Sequence, residues 1–328
     1  CPCALGLAVP IVQVIAARRL FERGIMVKDG AGLERLADAD TVVFDKTGTL
    51  TAGRPELIDA DLVDPDALSL AAALAAHSRH PQSLALIAAH TARGGVKEAV
   101  ADIEEFPGHG LEARLEGGVI RLGRADWALD DPATVSAPPR YPCSVLSRNG
   151  RLIATFAFRE HLRPGARDVI AALKNAGLDV EILSGDHEAA VKNIAVSLGL
   201  ERFEAGMRPD GKLARLRALT EAGHKTFMIG DGLNDAPALV AAHVSMAPSS
   251  AVDVGRNAAD FVFTRGNLEA APFAIAIAKR TRLLIRENFA IAIFYNAVAL
   301  PFASAGFVTP LAAALAMSGS SIIVVANA

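Results

Sequence analysis

After Glu287 the chain runs to Ala328 without a single charged side chain. In a bilayer the backbone must satisfy its own hydrogen bonds, so a stretch of this kind is confined to helix. It is long enough for two spans, and Gly306 to Pro310 supply the break between them. The other end repeats the pattern: residues 1–17 are uncharged, and Arg18, Arg19, Glu22 and Arg23 follow. That run is just short of a full span. It reads as a transmembrane helix truncated at its start, with Pro2 and Pro10 opening the backbone inside it. Lys279, Arg280, Arg282 and Arg286 precede the tail, so both apolar blocks turn basic ends to one side, the cytoplasmic one by the positive-inside rule. A helical hairpin buried in a soluble protein is the alternative, and the length of the tail argues against it.

The 328 residues suffice for two or three domains, and a composition 52% hydrophobic is too apolar for a purely soluble protein. A net charge of -3 gives no argument for a nucleic-acid partner. Three cysteines, two of them in Cys1-Pro2-Cys3, make no disulfide framework, and that pair reads as a metal or redox feature. A start at Cys1 inside an apolar run reads as a fragment, in which no leader can be judged.

Between the apolar ends, Thr41-Val42-Val43-Phe44-Asp45 reads as a buried parallel strand that delivers Asp45 to its carboxyl end, where open α/β sheets build their sites. A carboxylate held there can attack a phosphoryl group and form an aspartyl-phosphate. Lys46 and the hydroxyls and amides of Thr47 to Thr49 would surround the incoming oxygens. The plainer reading is a surface Asp after an ordinary strand. Val180–Leu183 before Ser184-Gly185-Asp186, and Thr226–Ile229 before Gly230-Asp231-Gly232-Leu233-Asn234-Asp235, repeat the strand-then-acid arrangement. Val244–Met246 and Phe261–Phe263 read as further strands, with helices over Ala166–Asn175 and Gly211–Glu221. Composition shifts from about 57 to 151, where a helical Ala67–Arg93 pattern precedes alternating Leu111–Leu115, Val119–Leu122 and Cys143–Leu146. The expectation is an α/β doubly wound parallel sheet interrupted by an inserted α+β domain and flanked by transmembrane helices.

The motif Asp45-Lys46-Thr47-Gly48-Thr49-Leu50-Thr51 resembles the phosphorylation motif of P-type ATPases, which belong to the haloacid dehalogenase-like superfamily, and the resemblance covers nearly the whole chain. It implies a phosphorylation domain at 26–56 and 152–270, a nucleotide-binding domain at 57–151, a truncated transmembrane helix at 1–25 and two more spans at 271–328. It further implies that Asp45, Asp231 and the carbonyl of Thr47 hold one Mg²⁺. Lys212, in Arg208-Pro209-Asp210-Gly211-Lys212, would neutralise the transferring oxygens. Ser184, where the family more often has Thr, would donate to a phosphate oxygen beside Gly185 and Asp186, and Asn234 and Asp235 would order the surroundings of the metal. Soluble phosphatases of the superfamily carry a second Asp at the position of Thr47, which speeds hydrolysis of the intermediate. Threonine cannot do that proton work, so a long-lived phosphoenzyme is expected. A soluble phosphohydrolase is the rival reading.

His80-Pro81, Gly108-His109-Gly110 and Gly123 resemble the ATP-binding motifs of heavy-metal ATPases, with Arg79 and Arg124 replacing the Glu and Asn often found there. Cys1-Pro2-Cys3 with Pro10 resembles their membrane signature, and thiolates favour soft Cu(I) or Zn(II). Tyr295-Asn296 before Pro301, and Met317 before Ser320-Ser321, resemble the last two helices of the copper(I) branch; zinc/cadmium pumps carry a Lys and an Asp there. These polar residues are otherwise helix-packing groups. The implied activity is ATP-driven export of copper(I), delivered by a chaperone, by a multi-pass protein in the lipid of a bacterial cell membrane. A zinc/cadmium pump is the alternative. Ser78-Arg79-His80-Pro81 and Phe21-Glu22-Arg23-Gly24 resemble the branch that supplies copper to cbb3-type oxidases.

Overall fold

The structure, a computed structural model, describes residues 3–51, 53–95, 100, 102–115, 118–135, 141–186, 188–231, 235–251, 253–264 and 267–328. They form two compact units, one of Cys1–Asp45, Pro164–Leu183 and Met207–Ala328, the other of Lys46–Arg163 and Ser184–Gly206.

In the first unit the strands lie in the order Ile25–Val27, Phe261–Phe263, Val244–Pro248, Thr226–Ile229, Thr41–Asp45, Asp179–Leu183. The last five pair in parallel, as their nearly continuous apolar runs require. Ile25–Val27, absent from the sequence reading, adds an antiparallel edge beside Phe261–Phe263. Thr41–Asp45 is central and buried at every position. Its register sets Phe44 opposite Ile229 and Asp45 opposite Leu183, so three carboxyl ends meet. Ala166–Asn175 buries Ala166, Val169, Ile170 and Leu173, one stripe at helical spacing, and stops before Gly177, whose φ of 79° suits the residue after a helix end. Helices Pro209–Glu221 and Ala236–Ala241 contribute Leu216, Leu219 and Leu239 to a core with Val43, Leu183 and Met228. Each such side chain, fully buried, contributes about 1.5–3 kcal/mol.

The apolar ends are helices. Cys3–Leu7 and Pro10–Glu22 are separated by a turn at Ala8 and Val9, with Pro10 opening the second. Ala270–Ser304 and Pro310–Ala326 enclose the predicted break. Among the described residues two segments, Ala4–Glu22 and Ala270–Ser304, are long and apolar enough to cross a membrane. Ala270–Ser304 buries one stripe from Ala271 to Ala292, whereas Ile293, Phe294, Val298, Leu300 and Phe302 near its end are exposed, as lipid-facing residues would be. Small residues bring the three apolar segments together: Ala4, Ala8, Ala292 and Val324 share one buried cluster.

In the second unit an antiparallel sheet runs Glu56–Leu57, Arg151–Arg159, Cys143–Arg148, Gly118–Gly123, Gly110–Leu115, Ile103–Phe106. Helices Pro65–Ala75 and Pro81–Ala92 cover one face, closing a core that includes Leu68, Leu74, Leu86, Leu111, Ile120, Leu122, Phe156 and Phe158. The helical pattern expected over Ala67–Arg93 is therefore two helices. Pro81 has no N–H and bars its predecessor from helical geometry, so His80 is extended, with φ -62° and ψ 139°. The sheet also continues to Arg159, past the boundary expected at 151. Asn149 and Gly150, both at positive φ, turn Cys143–Arg148 back into that strand.

Candidate functional site

At the carboxyl end of Thr41–Asp45, the buried Lys212 ammonium donates to Asp45 Oδ1 at 2.5 Å and to Asp235 Oδ1 at 2.8 Å. Lys212 arrives on the first turn of Pro209–Glu221, and Asp235 comes from the loop after Thr226–Ile229. Gly230 begins that loop; a Cβ there would sit 3.5 Å from Asp235 Oδ2 and 3.6 Å from Asp45 Cβ. Asp231 completes the group, and ligand oxygens of Asp45, Asp231 and Asp235 all lie within 4.8 Å of one another. Burial pushes the Asp45 carboxyl up to about 8, with Asp235 and Asp231 adding to the rise and the Lys212 ammonium opposing it. Burial alone would lower Lys212, but Asp45 and Asp235 outweigh it and hold the ammonium above its ordinary value. Three carboxylates around one small space form a hard-oxygen set that fits Mg²⁺.

The second unit begins with the next residue. Lys46 is buried and ion-paired with Glu160 Oε2 at 2.5 Å and with Asp186, and these carboxylates outweigh burial to keep its ammonium above the ordinary value. Thr47 Oγ1 donates to Asp186 Oδ2 at 3.4 Å, and Asp186 N–H donates to Ser184 Oγ at 3.2 Å. Gly48 takes φ 72°, a left-handed value that explains glycine at this point of the turn. Arg163 fastens the turn that follows Asp45: its N–H donates to Leu50 O at 2.8 Å and its guanidinium to Gly48 O at 2.5 Å. Thr49 Oγ1 is buried without a hydrogen-bond partner among the described residues, a donor of the kind a phosphate oxygen would satisfy.

A cavity of about 390 Å³ opens in the second unit, lined by Ser78, His80, Glu105, Gly108, Gly110, Gly123, Arg124, Cys143 and Asp186 among others. His80 caps its helix, Nδ1 accepting from Gln82 N–H at 3.3 Å, which leaves Nε2 to carry the proton. Burial holds the imidazole below its ordinary value, against an upward pull from Glu105. Gly110 and Gly123 face each other across two strands; a Cβ on Gly110 would lie 2.3 Å from Leu122 O, and one on Gly123 2.2 Å from His109 O. Gly108 turns at φ 79° with open space around it.

The profile of the haloacid dehalogenase-like hydrolases matches residues 39–243. The chain belongs to that family. Within it the chain's place is among the heavy-metal P-type ATPases. It is 50% identical to the nitrogen fixation protein FixI of Rhizobium meliloti over 329 residues, covering 100% of this chain and 42% of that protein. It is 36% identical to a copper-exporting P-type ATPase of Mycobacterium tuberculosis, covering 100% of this chain and 44% of the relative. Among solved structures, a zinc-transporting PIB-type ATPase in an E2.Pi state matches with a TM-score of 0.79 and 31% identity, over 100% of this chain and 55% of that one. The chain thus spans less than half the length of these two curated relatives.

Sequence reasoning missed three partners in this P-type ATPase chain. Glu160 reaches Lys46 from 114 residues away, Arg163 reaches Gly48 from 115, and Asp235 grips Lys212 directly where only an outer role was expected. A charged residue closing the Arg151–Arg159 strand was the available signal for Glu160. Cys1, Pro2 and Asn234 lie outside the described residues, as does the side chain of Cys3. Tyr295, Asn296, Met317 and Ser321 are all half-buried. Asn296 donates to Ala292 O at 2.8 Å, and Ser320 and Ser321 donate to Met317 O at 2.8 and 3.2 Å, so these polar groups are satisfied on their own helices.

Proposed function

We propose that the chain carries the catalytic core and the last membrane helices of an ATP-driven copper(I) exporter. The observation that carries this reading is the Asp45–Lys212–Asp235 cluster with Asp231, set at the carboxyl end of a central parallel strand. ATP sits in the cavity of the inserted domain, with His80, Pro81, Gly108, Gly110 and Gly123 about the nucleoside. An oxygen of Asp45 attacks the γ-phosphorus, the bond to the β,γ-bridging oxygen breaks, and ADP leaves with that electron pair. Lys212 neutralises charge on the transferring oxygens, and Ser184 and Thr49 donate to them. Mg²⁺ held by Asp45, Asp231 and the Thr47 carbonyl, with Asn234 and Asp235 around it, would screen the negative charge brought together there. Ser184-Gly185-Asp186 and Lys46 form the surrounding polar frame. With Thr47 in place of a general acid/base, the acyl phosphate persists and its formation and loss drive the membrane helices. On this reading residues 26–56 and 152–270 hold the phosphorylation domain and 57–151 the nucleotide domain, whose sheet carries on past that boundary through the strand Arg151–Arg159.

Cys1 and Cys3, with Tyr295, Asn296, Met317 and Ser321, are the proposed copper ligands. Chaperone delivery and a multi-pass position in a bacterial cell membrane, with cytoplasmic catalytic domains, belong to the same reading. The uncharged stretch after Glu287 favours a monovalent ion, since no carboxylate in it balances a divalent one. Similarity to a zinc-transporting structure supports the second reading, a zinc/cadmium pump. ATPase activity of the full-length protein in membranes, measured with Cu⁺, Ag⁺ and Zn²⁺ under reductant, separates them. Stimulation by Cu⁺ and Ag⁺ alone is expected; stimulation by Zn²⁺ alone reverses the choice of ion.

A further inference from the structure

Glu105 is exposed on the Ile103–Phe106 strand, yet it lies on the face that carries the core. It pairs across the sheet with Leu111, and directly opposed residues share a face. Leu111 is buried beneath the helices, and Ile103, two positions earlier on the same strand and therefore the same face, packs against that core. A carboxylate at this point breaks the alternation. One of its oxygens accepts from Ser78 Oγ at 2.8 Å, while the Ser78 hydroxyl oxygen accepts from His80 N–H at 3.1 Å, so the loop between the two helices is fastened to the acid. Ser78, His80 and Glu105 all line the cavity of the second unit.

We propose that Glu105 selects the base, favouring a 6-aminopurine nucleotide over a 6-oxopurine one. This rests on the nucleotide reading of the cavity. The wall there offers an acceptor, the carboxylate, close to a donor, the Nε2–H of a neutral His80 whose Nδ1 is committed to Gln82. Adenine presents the complementary edge, an amino donor beside a ring-nitrogen acceptor, whereas a 6-oxopurine presents a carbonyl oxygen in place of the amine. That oxygen would face a carboxylate with no proton between them. Arg79, the exposed neighbour of His80, supplies no acceptor. Asp186, the other carboxylate that lines the cavity, is ion-paired with Lys46, which leaves Glu105 as the acceptor beside His80.

The test is equilibrium binding of ATP and of ITP, its 6-oxo counterpart, to the whole chain in detergent, for wild type, Glu105→Gln and Glu105→Asp. Wild type is expected to prefer ATP by about tenfold or more, the scale of one hydrogen bond to a charged group. Glu105→Gln keeps the volume and the bond to Ser78 but lets an amide donate to the oxo group. ATP should weaken about tenfold while ITP holds or tightens, so the preference vanishes or inverts. Glu105→Asp should restore part of the ATP preference. Equal weakening of both nucleotides by Glu105→Gln, or no preference in wild type, overturns the assignment of Glu105 and leaves the nucleotide site standing. Failure of wild type to bind either nucleotide removes the nucleotide site and this inference together.

Discussion

The strand-end cluster of the first unit and the cavity of the second solve opposite problems. Around Asp45 the groups are buried, charged and mutually dependent: Lys212 serves two carboxylates, and a third lies within reach of both. In the cavity they are partly exposed, mostly neutral and held by backbone, through a helix cap at His80 and close glycine contacts at Gly110 and Gly123. The first arrangement permits little substitution, because removing one charge strands the others. The second tolerates change one contact at a time. Chemistry is thereby separated from affinity, and each substitution below should move one and spare the other.

The largest effect is expected at Lys212. Lys212→Ala leaves buried carboxylates without their cation, a change that costs about 3–5 kcal/mol when one member of a buried pair is lost. Phosphorylation from ATP should fall by about 100-fold or more, as when a single charge-stabilising donor is removed. Nucleotide affinity should be unchanged. Thermal unfolding, radiolabel transfer and ATP binding on the same preparation check all three; an equal loss of affinity would erase the separation.

Thr47→Asp is the next in size. It restores the general acid/base of a soluble phosphatase two residues after Asp45, and such groups contribute roughly 100-fold or more. The phosphoenzyme should turn over faster by about that factor, with p-nitrophenyl phosphate hydrolysis rising in step. An unaltered lifetime in a chase experiment would show that persistence does not depend on this position.

The smallest is a pH effect on the cavity. The His80 pKa is lowered from 6.5 in the folded protein, so the unfolded chain takes up the proton first. The neutral ring's contribution is present above that ordinary value and is lost as pH falls below it. Protonation also removes Nδ1 as acceptor for Gln82 N–H. Nucleotide affinity should be flat from pH 8 to about 6.5 and decline below it, and His80→Gln should abolish the decline. Because Glu105 pulls the ring upward, Glu105→Gln should move the decline to lower pH.

The same contrast governs what the sequence revealed. Asp45, Asp231 and Lys212 follow apolar strands or open a helix, and parallel pairing brings strand ends together by rule, so their meeting could be anticipated. The strands at Thr226–Ile229 and Phe261–Phe263 and the helix at Ala166–Asn175 were legible from their apolar periodicity to the residue. Glu160, Arg163 and Glu105 were not, because each is placed by an antiparallel sheet whose register depends on turns. Asn149-Gly150 was a hairpin signal that went unread, and with it the Arg151–Arg159 strand that carries the chain to Glu160. Pro81 likewise marked the break between two helices that Ala/Leu-rich composition concealed.

The central claim is that Asp45 takes a phosphoryl group from ATP. Full-length protein in membranes, incubated with ATP labelled at the γ-phosphate, Mg²⁺, reductant and transported metal, should yield an acid-stable, hydroxylamine-sensitive label. Asp45→Asn, nearly identical in shape, should yield none. Label of equal intensity in Asp45→Asn would contradict the account, since the phosphoryl group would then reside elsewhere and the cluster around Lys212 would have another purpose.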